Sequence, residues 1–208
     1  MKRYVQYGCG FTAPSNWINY DASPTLRFER LPLLGSLYTR NSQRFPANVK
    51  YGDIVKRLPE LPDSADGIYC SHVLEHLSYK DFQMALKNTF LILKPGGTFR
   101  GVVPDLKAAA LSYIEHFDDH EAPATEFLRS TMLGIENRNK TLASTIKGFY
   151  GNSKHLWMWD YKSLESELKK AGFKNIRPSL FGDSADGHFK YVEEEERFYQ
   201  AASFECTK

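Results

Sequence analysis

Glycines at 8 and 10 flanking Cys9, an aspartate at 21 and another at 53 have the spacing of binding groups. Gly8 and Gly10 follow the short run Tyr4–Tyr7, and glycines there let the backbone turn sharply and let a ligand approach it closely. Asp21 closes the run Trp17-Ile18-Asn19-Tyr20, where a carboxylate can accept two hydrogen bonds from the cis hydroxyls of a ribose. Asp53 closes Asn48-Val49-Lys50-Tyr51-Gly52, near where an adenine edge would lie. Each has a purely structural alternative: a tight turn for the glycines, a turn or helix cap for Asp21, an Asx turn for Asp53. What favours binding is their order, each just past an extended run, because doubly wound sheets take ligands outside the carboxyl ends of their strands.

A second cluster is His72-Val73-Leu74-Glu75-His76, which has the HxxEH form of a zinc peptidase. That chemistry needs both histidines on one helix face and a further acidic ligand downstream. Here an extended run leads into His72, and the helix signal begins only at Ser78. No metal is therefore expected, and His76 reads as a packed histidine with its polar edge satisfied. His116 and His120 share a helical face, but the stretch Asp118-Asp119-His120-Glu121 reads as a solvated helix end. The run Glu193–Glu196 likewise reads as a solvated face.

These residues need elements to hold them. Strands are expected at Tyr4–Tyr7, Trp17–Tyr20, Asn48–Tyr51, Ile68–Ser71 and Thr98–Val103. One or two short helices are expected within 25–45. Ser78 with Asp81 has the form of a capping box, and Phe82, Ala85, Leu86 and Phe90 follow at helical spacing. Lys94-Pro95-Gly96-Gly97 is expected to stop that helix. Leu106, Ala109, Ala110, Tyr113, Ile114 and Phe117 make another helix face, with a further helix around Ala124–Leu133. Asp160 caps a helix carrying Leu164 and Leu168, with Gly172 just past its end. Two late strands fall near Asn175–Phe181 and Tyr199–Glu205.

Strand and helix in alternation, then a strand pair, predict an α/β, Rossmann-like doubly wound and mostly parallel sheet with a late antiparallel strand. Residues 1–208 read as one domain, with a helical cap inserted at 106–156. The 208 residues can bury a core unaided, and 42% apolar with 14% aromatic residues argues against disorder. A net charge of +2 gives no reason to expect nucleic acid or an anionic membrane. No apolar run approaches the roughly 20 residues that cross a bilayer, and the N-terminus lacks a signal-peptide core. Cys9, Cys70 and Cys206 form no metal or disulfide spacing and read as buried thiols of a cytoplasmic protein.

Taken together, Tyr4-Val5-Gln6-Tyr7-Gly8-Cys9-Gly10, Asn16–Asp21, Gly52-Asp53-Ile54, Ser71–Leu77, Leu93–Gly97, and His155–Tyr161 leading to Ala171-Gly172-Phe173 resemble a class I S-adenosylmethionine-dependent methyltransferase. The branch resembled is one often found with polysaccharide and lipopolysaccharide biosynthesis. The resemblance implies S-adenosylmethionine as cofactor and a small-molecule or sugar acceptor. It implies that Gly8, Cys9 and Gly10 pass under the methionine part, that Asp21 binds the ribose and that Asp53 and the Ile54 backbone meet the adenine. Ser71 and His72 would border the cofactor from the fourth strand. Two departures stand out: ten residues between Gly10 and Asp21 are too few for a full helix, and Gln6 replaces the usual acidic residue. The contact to the cofactor's amino group is therefore expected to be lost or made through water.

A hydroxyl acceptor also needs a base. His155 is the first candidate, since it follows the inserted cap and histidine titrates in the useful range. Asp105, after the fifth strand, is the second. The structural alternatives are a packed histidine beside Trp157 and Trp159, and a helix N-cap at Asp105. Rivals from other classes are a non-catalytic cofactor-binding module of the same fold and an NAD-dependent oxidoreductase. The oxidoreductase is weakened because the third glycine of GxGxxG would fall at Ala13.

Overall fold

Side chains that alternate between two apolar faces build the sheet on which everything else is mounted. The computed structural model describes residues 2–31, 43–136 and 154–208. The strands are β1 (Tyr4–Tyr7), β2 (Ile18–Asp21), β3 (Val49–Tyr51), β4 (Ala65–Ser71), β5 (Leu93–Pro104), β6 (Lys174–Pro178) and β7 (Ala201–Thr207). They lie in the order β3-β2-β1-β4-β5-β7-β6. β1 to β5 pair in parallel, and β7 runs antiparallel between β5 and β6. The expected mostly parallel, doubly wound sheet with a late antiparallel strand is what forms.

The period of two sorts the strand residues. Val5, Tyr7, Ile68, Cys70 and Phe99 join one core cluster with Phe82 and Leu86 of α2 (Tyr79–Ile92) and Leu164 and Leu168 of α5 (Tyr161–Lys170). Tyr4, Tyr69 and Val102 join the other, with Trp17, Phe189 and Val192. Both helices start where a side chain accepts a backbone N–H: Ser78 from Asp81 at 3.3 Å, and Asp160 from Ser163 at 2.7 Å.

Among the described residues, three further helices are short. α1 (Pro24–Glu29) lies inside the 25–45 stretch, whose residues 32–42 fall outside the described ones. α3 (Leu106–Glu115) and α4 (Pro123–Ser130) fall within 106–156, of which residues 137–153 are likewise outside. Among the described residues, no helix is long and apolar enough to cross a membrane.

Helix α2 stops at the expected place, and the stop segment itself is drawn into the sheet. α2 ends at Ile92, and Leu93 already pairs with Ala65, so Lys94–Gly97 is an irregularity inside β5. Gly96 N–H donates to the Lys208 carbonyl at 3.0 Å, and Lys208 N–H to Gly97 at 3.2 Å. The distant end of the chain thus holds a local helix-stop signal in the sheet.

The acidic run is a solvated face only at Glu195 and Glu196. Glu193 is buried and accepts from Arg100 Nε at 2.8 Å. Arg100, itself buried in β5, also reaches Asp183 at 2.9 Å and Glu205 at 2.8 Å. Burial pushes the Asp183 and Glu205 carboxyls up, but donors outweigh it: Arg177 and Arg100 for Asp183, and Ser184 with the same two arginines for Glu205. Asp186 is lowered to about 2 by the Tyr4 hydroxyl, the His188 N–H and ring, and Lys2, again against burial.

All three folded-state values lie below the unfolded ones, so their stabilisation is complete above the ordinary carboxylate range. It is lost as pH falls through the lowered values. The urea midpoint is expected to hold down to about pH 5 and then fall steadily toward about pH 2, given unfolded values of about 4. A midpoint that stays flat over that window would show these contacts to be energetically neutral.

Candidate active site

The glycine turn stands at the carboxyl end of β1. Gly8 has φ +66° and Gly10 φ +53°, a region that glycine enters without strain. A Cβ on Gly8 would sit 2.1 Å from Val73 Cγ2, whereas one on Gly10 would meet nothing within 4 Å. Gly8 is therefore fixed by packing, and Gly10 leaves an open cradle. Between them Cys9 is buried, and its N–H donates to the Tyr20 carbonyl at 3.1 Å.

Asp21 ends β2 and is buried. One carboxylate oxygen accepts from Gly10 N–H at 3.0 Å and the other from Ser23 N–H at 2.7 Å. Two of its roughly four lone-pair sites are thereby used, and the carboxylate is fixed in place with the others left for a ligand.

Strand pairing carries the order onward. Tyr7 is opposite Tyr20, and Asp21 is opposite Tyr51, so Gly52-Asp53 follows at the neighbouring strand tip. The Asp53 carboxylate accepts from Val55 N–H at 3.0 Å, the Asx-turn geometry, and Lys56 Nζ lies 3.6 Å from it. Ile54 buries its side chain in the core, and its carbonyl accepts from Asn88 at 2.7 Å.

Across the switch point, Ser71 and His72 lie at the end of β4. Ser71 Oγ is buried without a hydrogen-bond partner among the described residues. His72 has φ +53°, a strained conformation for a side-chain-bearing residue and one that clusters at functional sites. Its Nε2 meets the Arg197 carbonyl at 3.1 Å.

Two consequences of the fold were not visible along the chain. Gln6 donates its side-chain amide to Thr12 O and Asn19 Oδ1, both at 2.6 Å, so it is committed inside the protein. Glu194 instead borders the glycine crevice, accepting from the Thr12 hydroxyl and from Arg197 Nε at 2.7 Å. Thr12 lowers the Glu194 carboxyl, with Arg197 adding to it against burial. No local motif marks Glu194, because it arrives on a loop from the far side of the sequence. The same loop narrows the crevice to about 20 Å³, roughly the room one water needs. Loading a nucleoside there requires the Thr12–Glu194–Arg197 contacts to open.

Beside it, a cavity of about 320 Å³ lies between α3, α4 and the end of β5. His72, Asp105 and His155 all line it, so both candidate bases face one space. Asp105 also caps α3, accepting from Lys107 N–H at 2.9 Å with one carboxylate oxygen. His155 is buried, and burial pushes its imidazole down, against the pull of Glu75. His120 is exposed at a helix end, as expected, and also borders the same cavity. His72 separates cavity from crevice, since its ring lines the first and holds Arg197 at the second.

Comparison with known proteins gives this arrangement a context. A family description reading "methyltransferase domain" matches residues 7–177. A SAM-dependent methyltransferase of Archaeoglobus fulgidus superposes with a TM-score of 0.53 at 15% identity, covering 100% of this chain and 86% of that one. A Thermotoga maritima structure described as a SAM-dependent methyltransferase, possible histamine N-methyltransferase, gives 0.52 at 17% identity, covering 100% and 83%. At these identities the likeness is one of fold. In sequence, the uncharacterized protein YBR225W of Saccharomyces cerevisiae is 27% identical over 125 residues. That covers 60% of this chain and 14% of the yeast protein, so the chain spans a small part of that relative.

Proposed function

The chain belongs to the methyltransferase-domain family and carries the fold of S-adenosylmethionine-dependent methyltransferases, and we propose that it methylates a hydroxyl or amine on a small or sugar-sized acceptor. The observation that carries this reading is the Gly10 cradle tied to a buried Asp21 carboxylate. An open backbone turn, an acceptor-only side chain fixed beside it, and the unpartnered Ser71 hydroxyl suit the cofactor's chemistry.

In this reading Gly8, Cys9 and Gly10 pass under the methionine portion and Asp21 receives the ribose hydroxyls. Asp53 and the Ile54 backbone border the adenine, with Ser71 and His72 on the opposite wall. Glu194 supplies the carboxylate for the cofactor's ammonium group that Gln6, an amide, does not. Bound S-adenosylmethionine supplies a methyl already activated by its sulfonium, which leaves the protein to align an acceptor and remove a proton. The 320 Å³ cavity holds that acceptor, and His155 and Asp105 are the groups placed to take its proton. Its size and mixed lining support a sugar or comparable small molecule, of the kind handled in polysaccharide assembly. Three buried free thiols suit a reducing, cytoplasmic setting.

Calorimetric titration tests the cofactor half. S-adenosylmethionine and S-adenosylhomocysteine are expected to bind and NAD not to. Asp21→Ala should weaken binding by about 1–3 kcal/mol, the scale of a hydrogen bond to a charged group. Unchanged affinity in that variant would refute the ribose assignment, and tight binding without turnover on any acceptor would favour a non-catalytic module.

A further inference from the structure

Glu75 is fully buried, and neither of its carboxylate oxygens has a hydrogen-bond partner among the described residues. A carboxylate is very costly to bury without a compensating cation. Three imidazoles surround it: His72 Nδ1, His76 Nε2 and His155 Nε2 stand 3.5, 3.9 and 4.0 Å from Glu75 Oε1. These separations are too long for hydrogen bonds.

The outward edges of two rings fix what faces inward. His72 Nε2 lies 3.1 Å from the Arg197 carbonyl and His76 Nδ1 lies 3.0 Å from the Lys154 carbonyl. A carbonyl only accepts, so those nitrogens carry the hydrogens. In the neutral rings His72 Nδ1 and His76 Nε2 then present bare lone pairs to an anionic oxygen. Such an array calls for positive charge, either protons on the imidazoles or a metal ion at its centre. Protonated imidazoles would close onto the carboxylate to about 2.8 Å. Ligand atoms around one tetrahedral zinc, with bonds of about 2.0–2.1 Å, stand roughly 3.3 Å apart. The observed spacing is nearer the second case, and ligand atoms of Glu75, His76 and His155 all lie within 4.8 Å of one another.

We propose that Glu75, His76 and His155, with His72 at the rim, bind a divalent first-row transition-metal ion such as zinc. Mixed imidazole and carboxylate donors suit that class. The HxxEH segment does this on a 3-10 turn, Leu74–His76, rather than on an α-helix. Its downstream ligand is a histidine rather than an acid. The Glu75 carbonyl accepts N–H groups of Leu156 at 2.7 Å and Trp157 at 3.1 Å, which docks His155 against the motif. Carbonyls holding the outer ring nitrogens of His72 and His76 orient them as metal-binding histidines are oriented, whereas His155 Nδ1 has no hydrogen-bond partner among the described residues and is held by its backbone docking. The sequence-based expectation of no metal assumed a helix, and the turn removes that requirement.

His72 and His155 also line the acceptor cavity. If the methyl-transfer reading holds, the ion would coordinate an acceptor oxygen, lowering its pKa so that the hydroxyl proton passes to Asp105. His155 then acts as ligand, and the acceptor class narrows to hydroxyls.

The test uses the full chain without a polyhistidine tag, stripped by chelator and titrated with zinc chloride and with cobalt chloride. One equivalent is expected to bind, with visible d–d absorption for cobalt and a raised thermal midpoint with zinc. Glu75→Gln and His76→Asn should each weaken binding about 100-fold or more, beyond the loss typical of outer-sphere changes. Absence of one-to-one binding in the native chain, or native-strength binding in both variants, would overturn the proposal. S-adenosylmethionine calorimetry on the same stripped protein separates the two readings: cofactor binding without metal binding sinks the metal site alone.

Discussion

Replacing Arg100 with methionine lowers the stability of the fold by about 3–5 kcal/mol, the cost of leaving a buried ionic partner uncompensated. Arg100 neutralises Glu193, Asp183 and Glu205 from one guanidinium, and its side chain is 1% exposed. Methionine fills similar space but leaves three carboxylates facing one another, with Arg177 reaching only Asp183 and Glu205. Glu193 then keeps the Gly182 N–H at 3.0 Å but no cation to neutralise it among the described residues. Urea unfolding should show a lower midpoint at unchanged slope. Adding Glu193→Leu should restore much of the loss, because an apolar replacement of a whole buried pair is often close to neutral. A single-variant loss below about 1 kcal/mol, within the range of exposed pairs, would mean that water reaches the cluster.

The second large effect belongs to Gly8. Gly8→Ala should destabilise by about 2–5 kcal/mol, combining about 1–2 for a left-handed side-chain-bearing residue with about 1–3 for overpacking. The overpacking arises against Val73, which a new methyl would meet at 2.1 Å. Because the turn must move to relieve that contact, affinity for S-adenosylmethionine should fall with it. Gly10→Ala shares the positive φ but has open space, so about 1–2 kcal/mol is expected there. Combining Gly8→Ala with Val73→Ala should recover the packing part and leave the conformational part. Equal effects at Gly8 and Gly10 would show that Val73 plays no role.

The strands and the helices α2 and α5 were legible because their signals are local. Alternating apolar residues, a serine or aspartate at each helix start and glycines at strand tips are each set by a few neighbours. The order of Gly8–Gly10, Asp21 and Asp53 across adjacent strand tips follows once the sheet is parallel. What could not be read depends on contacts between distant segments. Arg100 meets acids from three later loops and strands, and Glu194 reaches Thr12 from the opposite end of the chain. The join of β5 to α2 is set by Lys208. The histidine cluster was only partly legible for a different reason. Its spacing was visible, but spacing alone does not say that the turn at Leu74–His76 is a 3-10 turn or that His155 docks on it.

The placement of β7 bears on how such a chain is made. Residues Ala201–Thr207 slot between β5 and β6, so the edge of β5 has no neighbour until everything between Pro104 and Ala201 has been synthesised. On the ribosome that edge is an open template for pairing with other chains, the kind of exposure that favours aggregation of nascent proteins. The β1–β5 half can assemble early, but closing the sheet is left to one late strand, whose arrival also completes the acidic ring around Arg100.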